Sequence, residues 1–513
     1  MARPLCQIIL TCWIVACSHG AISSTGLDEP VLLQSRTHVL KEGMPLLSSR
    51  SDLIKRSPLR DDHIHEVIFV LQQRNIDELT RILHDVSDPM SPNYGNHLSG
   101  EQVGAMTMNP EAREAVVTYL NLNGATITAE TLHSEFITAT APISVWNKVL
   151  DTQFMSFHQR QIDGDIEEIV RAERYSVPIE LDEHVDCVLN TIEMPIVFTR
   201  KANIYKPLSS TGSKGRFNEA EYNGYVLPTT IRKYYNLSGN HGSELSTQAI
   251  FGGRLDYLNP IDLAKFQSFD DIDINQPALN INGHVTSDMS TMVPGGDWGE
   301  GNLDVQYIIA VSNDSPTTYW SWQINISLWL RSVLTYVDIP KVLSISYGGS
   351  EAYTSSMEMR VFNTEALKIG VRGTTIVVAS GDDGAVSYES RGGSLDKCGY
   401  FPIYPGSSPY VLSVGATSVG AHCHDNTIIY LYLFAANSCQ LHFIFKPSGR
   451  GVRTERSCLL FRNDRSDHIR GWLLRCVPQT SMARSGSSGL LHQCCCCWQV
   501  SNSRLQHKWP SLP

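Results

Sequence analysis

From His63 the hydrophobic pattern along the chain tightens. HEVIFVLQQ alternates and then runs apolar, which predicts a strand, while IDELTRILHDVSD sets Ile76, Leu79, Ile82, Leu83 and Val86 at helical spacing. DPMSPNYGNHLS reads as turn and loop, and PEAREAVVTYLNLNG as a helix with Pro110 in its first turn and Gly124 at its stop. ATITAETLHSEFITATAPISVWNKVL then gives strand, strand and helix. Two strand–helix units of this kind predict an α+β domain over residues 60–195, a split βαβ sandwich. Residues 196–228 are rich in Ser, Gly and Lys and poor in apolar positions, the chemistry of an exposed and readily cut linker. A second domain, residues 229–420, opens at PTTIRKYYNLSG. STQAIFGG, PALNINGHV, KVLSISYGG, TTIVVASGDDGA and PYVLSVGATS predict strands; IDLAKFQSFDD, Gly295 to Val311, SLWLRSVL and SSMEMRVFNTEALKIGVRG predict helices. That alternation predicts an α/β fold with a doubly wound parallel sheet, whose chemistry belongs at the carboxyl ends of strands, where SYGG and SGDDG both fall. Beyond about Ala421 the periodicity dissolves and no strand–helix alternation is legible.

Composition refines this picture in three places. The chain of 513 residues, 42% hydrophobic and 18% charged, has room for several globular cores. Its net charge of −11 is uneven: residues 421–513 carry 11 Lys+Arg against 4 Asp+Glu, the remainder 30 against 48. An acidic body argues against a nucleic-acid partner and suits acidic surroundings. Residues 1–20 have the form of a secretory signal, with Arg3, an apolar run from Ile8 to Cys17, and small residues at Ser18, Gly20 and Ala21. No other apolar run is long enough for a membrane span. Sequons at Asn236, Asn313 and Asn325 fit the secretory route and are candidate glycosylation sites. Of 13 cysteines, three lie in the signal, two (Cys187 and Cys398) in the body and eight beyond residue 421, so the body is not built on a disulfide framework.

The candidate chemistry begins in GGDWGEGNLDVQYIIAV. Glu300 and Asp304 are one helical turn apart, so a helix here puts both acids on one face, where they can share a proton and one pKa rises. The same pair is also what the macrodipole favours on a solvated helix start. Spacing alone leaves both readings open.

EGNLDVQYI, SISYGG, ASGDDGA and FPIYPGSSPYVLSVGATS, in this order, resemble the sedolisin (serine-carboxyl peptidase) family, most of all its lysosomal tripeptidyl-peptidase branch. VSDPMSPNYGNHLS is similar to the kumamolisin-type activation propeptide, and PTTIRKYYNL to the start of a mature enzyme. The resemblance covers residues 60–420. It implies a subtilisin-like catalytic domain behind a propeptide that inhibits it, and acid-active removal of N-terminal tripeptides from unfolded polypeptides. It implies Glu300 as general base, Asp304 as the carboxyl that holds it, and Asp382 as a protonated donor to the oxyanion. It further implies maturation by cleavage within 196–228, calcium as cofactor, and residence in the lysosome, with the extracellular space as the other destination.

Two family features have no counterpart. The nucleophilic serine belongs in a Gly-Thr-Ser-Ala-Ser segment; Thr480-Ser481 and the run Ser485 to Gly489 lack its glycine-led turn. The calcium loop has no Asp/Gly-rich equivalent after Asp467. The four adjacent cysteines Cys494–Cys497 cannot wrap one tetrahedral zinc as spaced pairs do. Residues 421–513 are therefore read as out-of-frame or intron-derived sequence on an incomplete catalytic domain, and the chain is expected to lack turnover. The reading from another class is a non-catalytic relative that binds peptide, or inhibits an active paralogue through its propeptide. A neutral subtilisin-type protease would need a catalytic His near the acid helix, and His284 lacks the local motif.

Overall fold

Val67, Ile68, Phe69, Val70 and Leu71 are all buried, so the strand they form, β3 (Ile64–Leu71), is covered on both faces, as the unbroken apolar run requires. The computed structural model describes residues 37–44, 53–160, 166–194, 226–237, 239, 242–253, 256–268, 279–282, 285–292, 299–312, 315–321, 326–382, 402–416, 433–434, 458–463 and 469–474. Chain contacts separate Met1–Thr37 from His38–Pro513, and all that follows concerns the second unit. The expected signal, most of the linker, Asn313, Asn325 and His284 lie outside the described residues.

In the N-terminal region, β1 (His38–Gly43) and β2 (Leu53–Pro58) precede β3. Then come α1 (Ile76–Ser87), α2 (Gly100–Thr107), α3 (Pro110–Leu122), β4 (Thr126–Glu130), β5 (Phe136–Pro142) and α4 (Ile143–Val149). β6 (Phe154–Arg160), β7 (Ile166–Ala172), β8 (Arg174–Pro178) and β9 (Val185–Leu189) complete it. The main sheet is antiparallel in the order β4-β5-β3-β9, the order of a split βαβ unit. β2-β6-β7 form a second sheet and β1 pairs with β8. The strands β6 to β9 and the helix α2 were not legible as periodic segments. α2 is short, but Ser99 and Gln102 close a capping box at its start, with 2.8 and 3.2 Å hydrogen bonds.

The C-terminal region opens with α5 (Pro228–Tyr234), β10 (Gln248–Gly252), α6 (Pro260–Gln267), β11 (Leu279–Asn282) and α7 (Gly299–Ser312). β12 (Thr317–Ser321), α8 (Ile326–Leu334), β13 (Val342–Ile345), β14 (Gly349–Ser350) and α9 (Ser356–Val371) follow. β15 (Thr375–Ala379), β16 (Ile403–Tyr404), β17 (Leu412–Val414) and β18 (Leu433–Phe434) end the sheet region. The sheet order is β11-β12-β10-β13-β15-β17-β18, and every pair is parallel except β17 with β18. β12 was not expected, yet it supplies the strand between α7 and α8 that a parallel crossover needs. Period two decides what each side of the sheet meets. Ala249 and Phe251 of β10 pack with Trp329 and Phe362 of α8 and α9, while Ile250 packs with Leu263, Val305 and Ile309 of α6 and α7. β14 and β16 make a small antiparallel pair. β19 (Cys458–Asn463) and β20 (Ile469–Leu474) form a hairpin. Among the described residues no helix is long and apolar enough to cross a membrane.

The two regions meet on α9. Glu42 of β1 caps its first turn, accepting from Ser356 N, Ser356 Oγ and Ser355 Oγ, each at 2.8 Å. Midway along the chain of contacts, Arg360 pairs with Asp186 at 3.1 Å and Tyr175 Oη reaches Met357 Sδ at 3.0 Å. Further on, Lys368 Nζ lies 3.1 Å from both Glu135 Oε1 and Glu365 Oε1, and Val371 O accepts from Leu98 N at 2.9 Å. Leu328, Met357 and Val361 join the core of the N-terminal region, so apolar packing crosses the boundary without a break.

Candidate functional site

α7 is held by burial and by its C-terminus. Val305 and Ile309 are packed beneath the sheet, and Arg232 donates to Ala310 O at 2.5 and 3.1 Å, a cation on the last turn where carbonyls lack helical partners. This fixes the rotation of the helix and puts Glu300 and Asp304 one above the other at its first turns. Glu300 is half-buried. Asp304 reaches the surface with part of its residue, but its Oδ2 is buried and has no hydrogen-bond partner among the described residues. Burial, then the charge of Glu300, push the Asp304 carboxyl up to about 8; a hydrogen bond from Ser346 pulls the other way and Asp256 adds to the rise.

Asp256 and Tyr347 were not singled out by motif. Asp256 is fully buried, and Tyr347 Oη donates a hydrogen bond to its Oδ2. The Asp256 carbonyl accepts from Tyr319 Oη at 3.1 Å and Ser321 Oγ at 3.2 Å. Burial first, and then the charge of Asp256, hold Tyr347 far above the ordinary phenol range, so it stays a donor. Gly301 explains how α7 comes this close: a Cβ there would lie 2.5 Å from Tyr319 Oη and 3.2 Å from Asp256 Oδ2. The available sequence signals were the Gly252-Gly253 stop after β10 and the SYGG turn after β13.

Asp382 is exposed and follows Gly381, whose φ of 95° suits glycine alone among common residues. Ser380 N is tied to Val414 O at 3.0 Å. The sheet order places the ends of β10, β13 and β15 side by side, so Asp256, Ser346-Tyr347 and Ser380-Asp382 share the carboxyl edge of the parallel sheet. The structure thus brings Glu300, Asp304, Asp256, Tyr347 and Ser346 together, and sets Asp382 on the same edge. Asn236 is exposed in a left-handed conformation, φ 56°. Among the described residues no group of three or more His, Cys, Asp or Glu side chains is arranged to hold a metal ion, and no step below runs through calcium.

Comparison with known proteins follows the same division. Residues 51–194 match the family model of the pro-kumamolisin activation domain. Physarolisin of Physarum polycephalum is 29% identical over 386 residues, covering 72% of this chain and 62% of its own length. Tripeptidyl-peptidase 1 of Macaca fascicularis is 30% identical over 372 residues, covering 68% and 61%. The chain is a relative of the sedolisins. Pseudomonas sedolisin, a serine-carboxyl proteinase whose structure was solved with pseudo-iodotyrostatin, is 22% identical, with a TM-score of 0.30 over 40% of this chain and 58% of its own. This sedolisin relative spans about three fifths of the length of the curated proteins it matches, 61–62%. Its N-terminal region matches an activation propeptide, and one of the relatives, tripeptidyl-peptidase 1, is a peptidase by name.

Proposed function

We propose that the chain carries the acid half of a serine-carboxyl peptidase site on a subtilisin-like, doubly wound catalytic domain kept under its own propeptide. The observation that supports this most is Asp304, pushed up to about 8 one turn from Glu300. A carboxyl that keeps its proton through neutral and acid pH can donate to Glu300, hold it in place and leave it free to take the proton of a hydroxyl. Asp382 is assigned, on the resemblance, as donor to the oxyanion of a tetrahedral intermediate. The substrates are unfolded polypeptides cut three residues from the N-terminus. The propeptide acts as inhibitor until cleavage within 196–228. The destination is the lysosome, with sugars at Asn236, Asn313 and Asn325.

The chain as it stands has the base and its holder but no Gly-Thr-Ser-Ala-Ser segment for the base to serve, and is assigned no turnover of its own. Reading the natural transcript across codons 410–513 and assaying its product at pH ~4 on a tripeptide amide tests both parts. If the transcript supplies the serine segment, the product should turn over and Glu300→Gln should cost ~10²–10⁴-fold; a loss below tenfold would remove Glu300 as base. If it encodes the present residues 421–513, turnover that Glu300→Gln abolishes would overturn the assignment of inactivity. The grip of the propeptide on α9 favours a second reading, in which residues 60–195 inhibit an active relative. Binding of the full chain to an active sedolisin, lost in Glu135→Ala, which removes the N-terminal region's own half of the Lys368 contact, would support it.

A further inference from the structure

The peptidase chemistry makes no use of His65, yet its position is unusual for a histidine. It sits on β3, the strand flanked by β5 and β9 at the middle of the propeptide sheet, and is 9% exposed. Its Nε2 lies 2.9 Å from the carbonyl of Asn190, a residue held at φ 65° at the end of β9. Its ring packs on Phe154 with centroids 4.9 Å apart, and its carbonyl accepts from Trp146 Nε1 at 2.9 Å. A neutral ring with its proton on Nε2 satisfies this setting. A second proton brings a charge that no described neighbour balances. Ala141 across β5, Asn190 and Phe154 are uncharged, and the charged or titratable groups acting on the ring are Arg171 from β7 and His63, both cationic when protonated.

We propose that His65 is an acid-operated release in the propeptide: protonating its ring opens the β4-β5-β3-β9 sheet and, through the continuous core, loosens the propeptide on α8 and α9. Trp146, Phe154, Leu328, Met357 and Val361 belong to one buried cluster, so a loss of packing around β3 is felt at the docking face. Burial, and to a lesser degree Arg171 and His63, hold the imidazole down at about 4 against the ordinary 6.5. The sign follows. A base with a lowered pKa contributes no penalty above the ordinary value and an increasing one as pH falls from 6.5 toward 4. Glu193 and Glu358 act oppositely: burial raises both carboxyls, Glu358 to about 8, so they strengthen the fold as acid is added. The release rests on His65 alone among these groups, and it does not depend on the chain having peptidase activity.

Hydrogen exchange of the full chain, followed by mass spectrometry on peptides spanning residues 60–72 and corrected for intrinsic rates, tests this. Relative to pH 8, opening of β3 should rise about thirtyfold at pH 5 and about 150-fold at pH 4. In His65→Gln, which keeps an N–H donor for Asn190 O, the rise should stay under threefold; a rise equal to that of the unaltered chain overturns the proposal. Should His65→Gln not fold, C2–H exchange of His65 in the unaltered chain decides alone. Half-titration well below pH 6 supports the release, and half-titration at the ordinary value ends it.

Discussion

Two of the buried carboxyl clusters among the described residues are neutralised by different means. At the face between propeptide and α9, Glu135 and Glu365 share Lys368, all three nearly inaccessible. Burial pushes Glu135 up, but Lys368 with Thr131 and a backbone bond outweighs it, and the carboxyl ends below its ordinary value. Glu365 ends above its ordinary value, because one ammonium cannot fully offset two buried acids. Behind α7, by contrast, Asp304 faces Glu300 and Asp256 with hydroxyls for company, and its carboxyl is neutralised by a proton instead. The difference teaches where to look for chemistry. A cation fixes charge at every pH of interest and makes an acid cluster structural, whereas a cluster neutralised by protons can give one up.

Removing the cation should have the largest effect. Lys368→Met strands Glu135 and Glu365 and is expected to cost about 3–5 kcal/mol in urea unfolding at pH 7.5. The cost should shrink at pH 4.5, where the stranded carboxyls take up protons; a loss under about 1 kcal/mol at pH 7.5 would mean the cluster is not held by Lys368. Asp304→Asn should go the other way. The folded pKa lies above the unfolded one, so the acid's contribution is intact below the ordinary 3.8 and is lost as pH rises toward about 8. Its amide replacement should stabilise the chain by on the order of 3 kcal/mol at pH 7.5 and hardly at all at pH 4. Equal effects at the two pH values would refute the proton-neutralised reading. Smallest is Glu42→Ala, which uncaps α9 at the boundary and should cost about 1 kcal/mol, read from the thermal midpoint. No change there would show that Ser355 and Ser356 cap the helix unaided.

Much of this arrangement is written locally. Long periodic stretches such as IDELTRILHDVS and SMEMRVFNTEALKIGV specify α1 and α9: α1 presents one apolar face to a core, and α9 buries apolar positions against both the sheet and the N-terminal region. Glu300 and Asp304 were legible because one helix sets their spacing. β12 was not: TTYWS is five residues, too few for alternation to stand out, and its identity as a strand comes from pairing with β10 and β11. Asp256 was illegible for a related reason. It is a single acid after a Gly-Gly stop, and only the parallel pairing of β10 with β13 brings it to Tyr347, 91 residues later. Residues whose partners lie within one element announce themselves; those whose partners arrive through the sheet do not.

Three of the anchors on α9 set its register as well as its place. Glu42 grips the first turn, Glu135 the fourth and Leu98 the last carbonyl, over a helix of 16 residues or ~24 Å. A slip of α9 by one residue turns it through ~100° and breaks all three together. Glu42 and Ser355 are separated by 313 positions, and on the ribosome the propeptide is complete long before α9 is made. The late helix thus meets a finished gauge, which accepts it at one depth and one rotation. Those same coordinates aim the neighbouring strand ends β13 and β15, so the propeptide measures the site's frame.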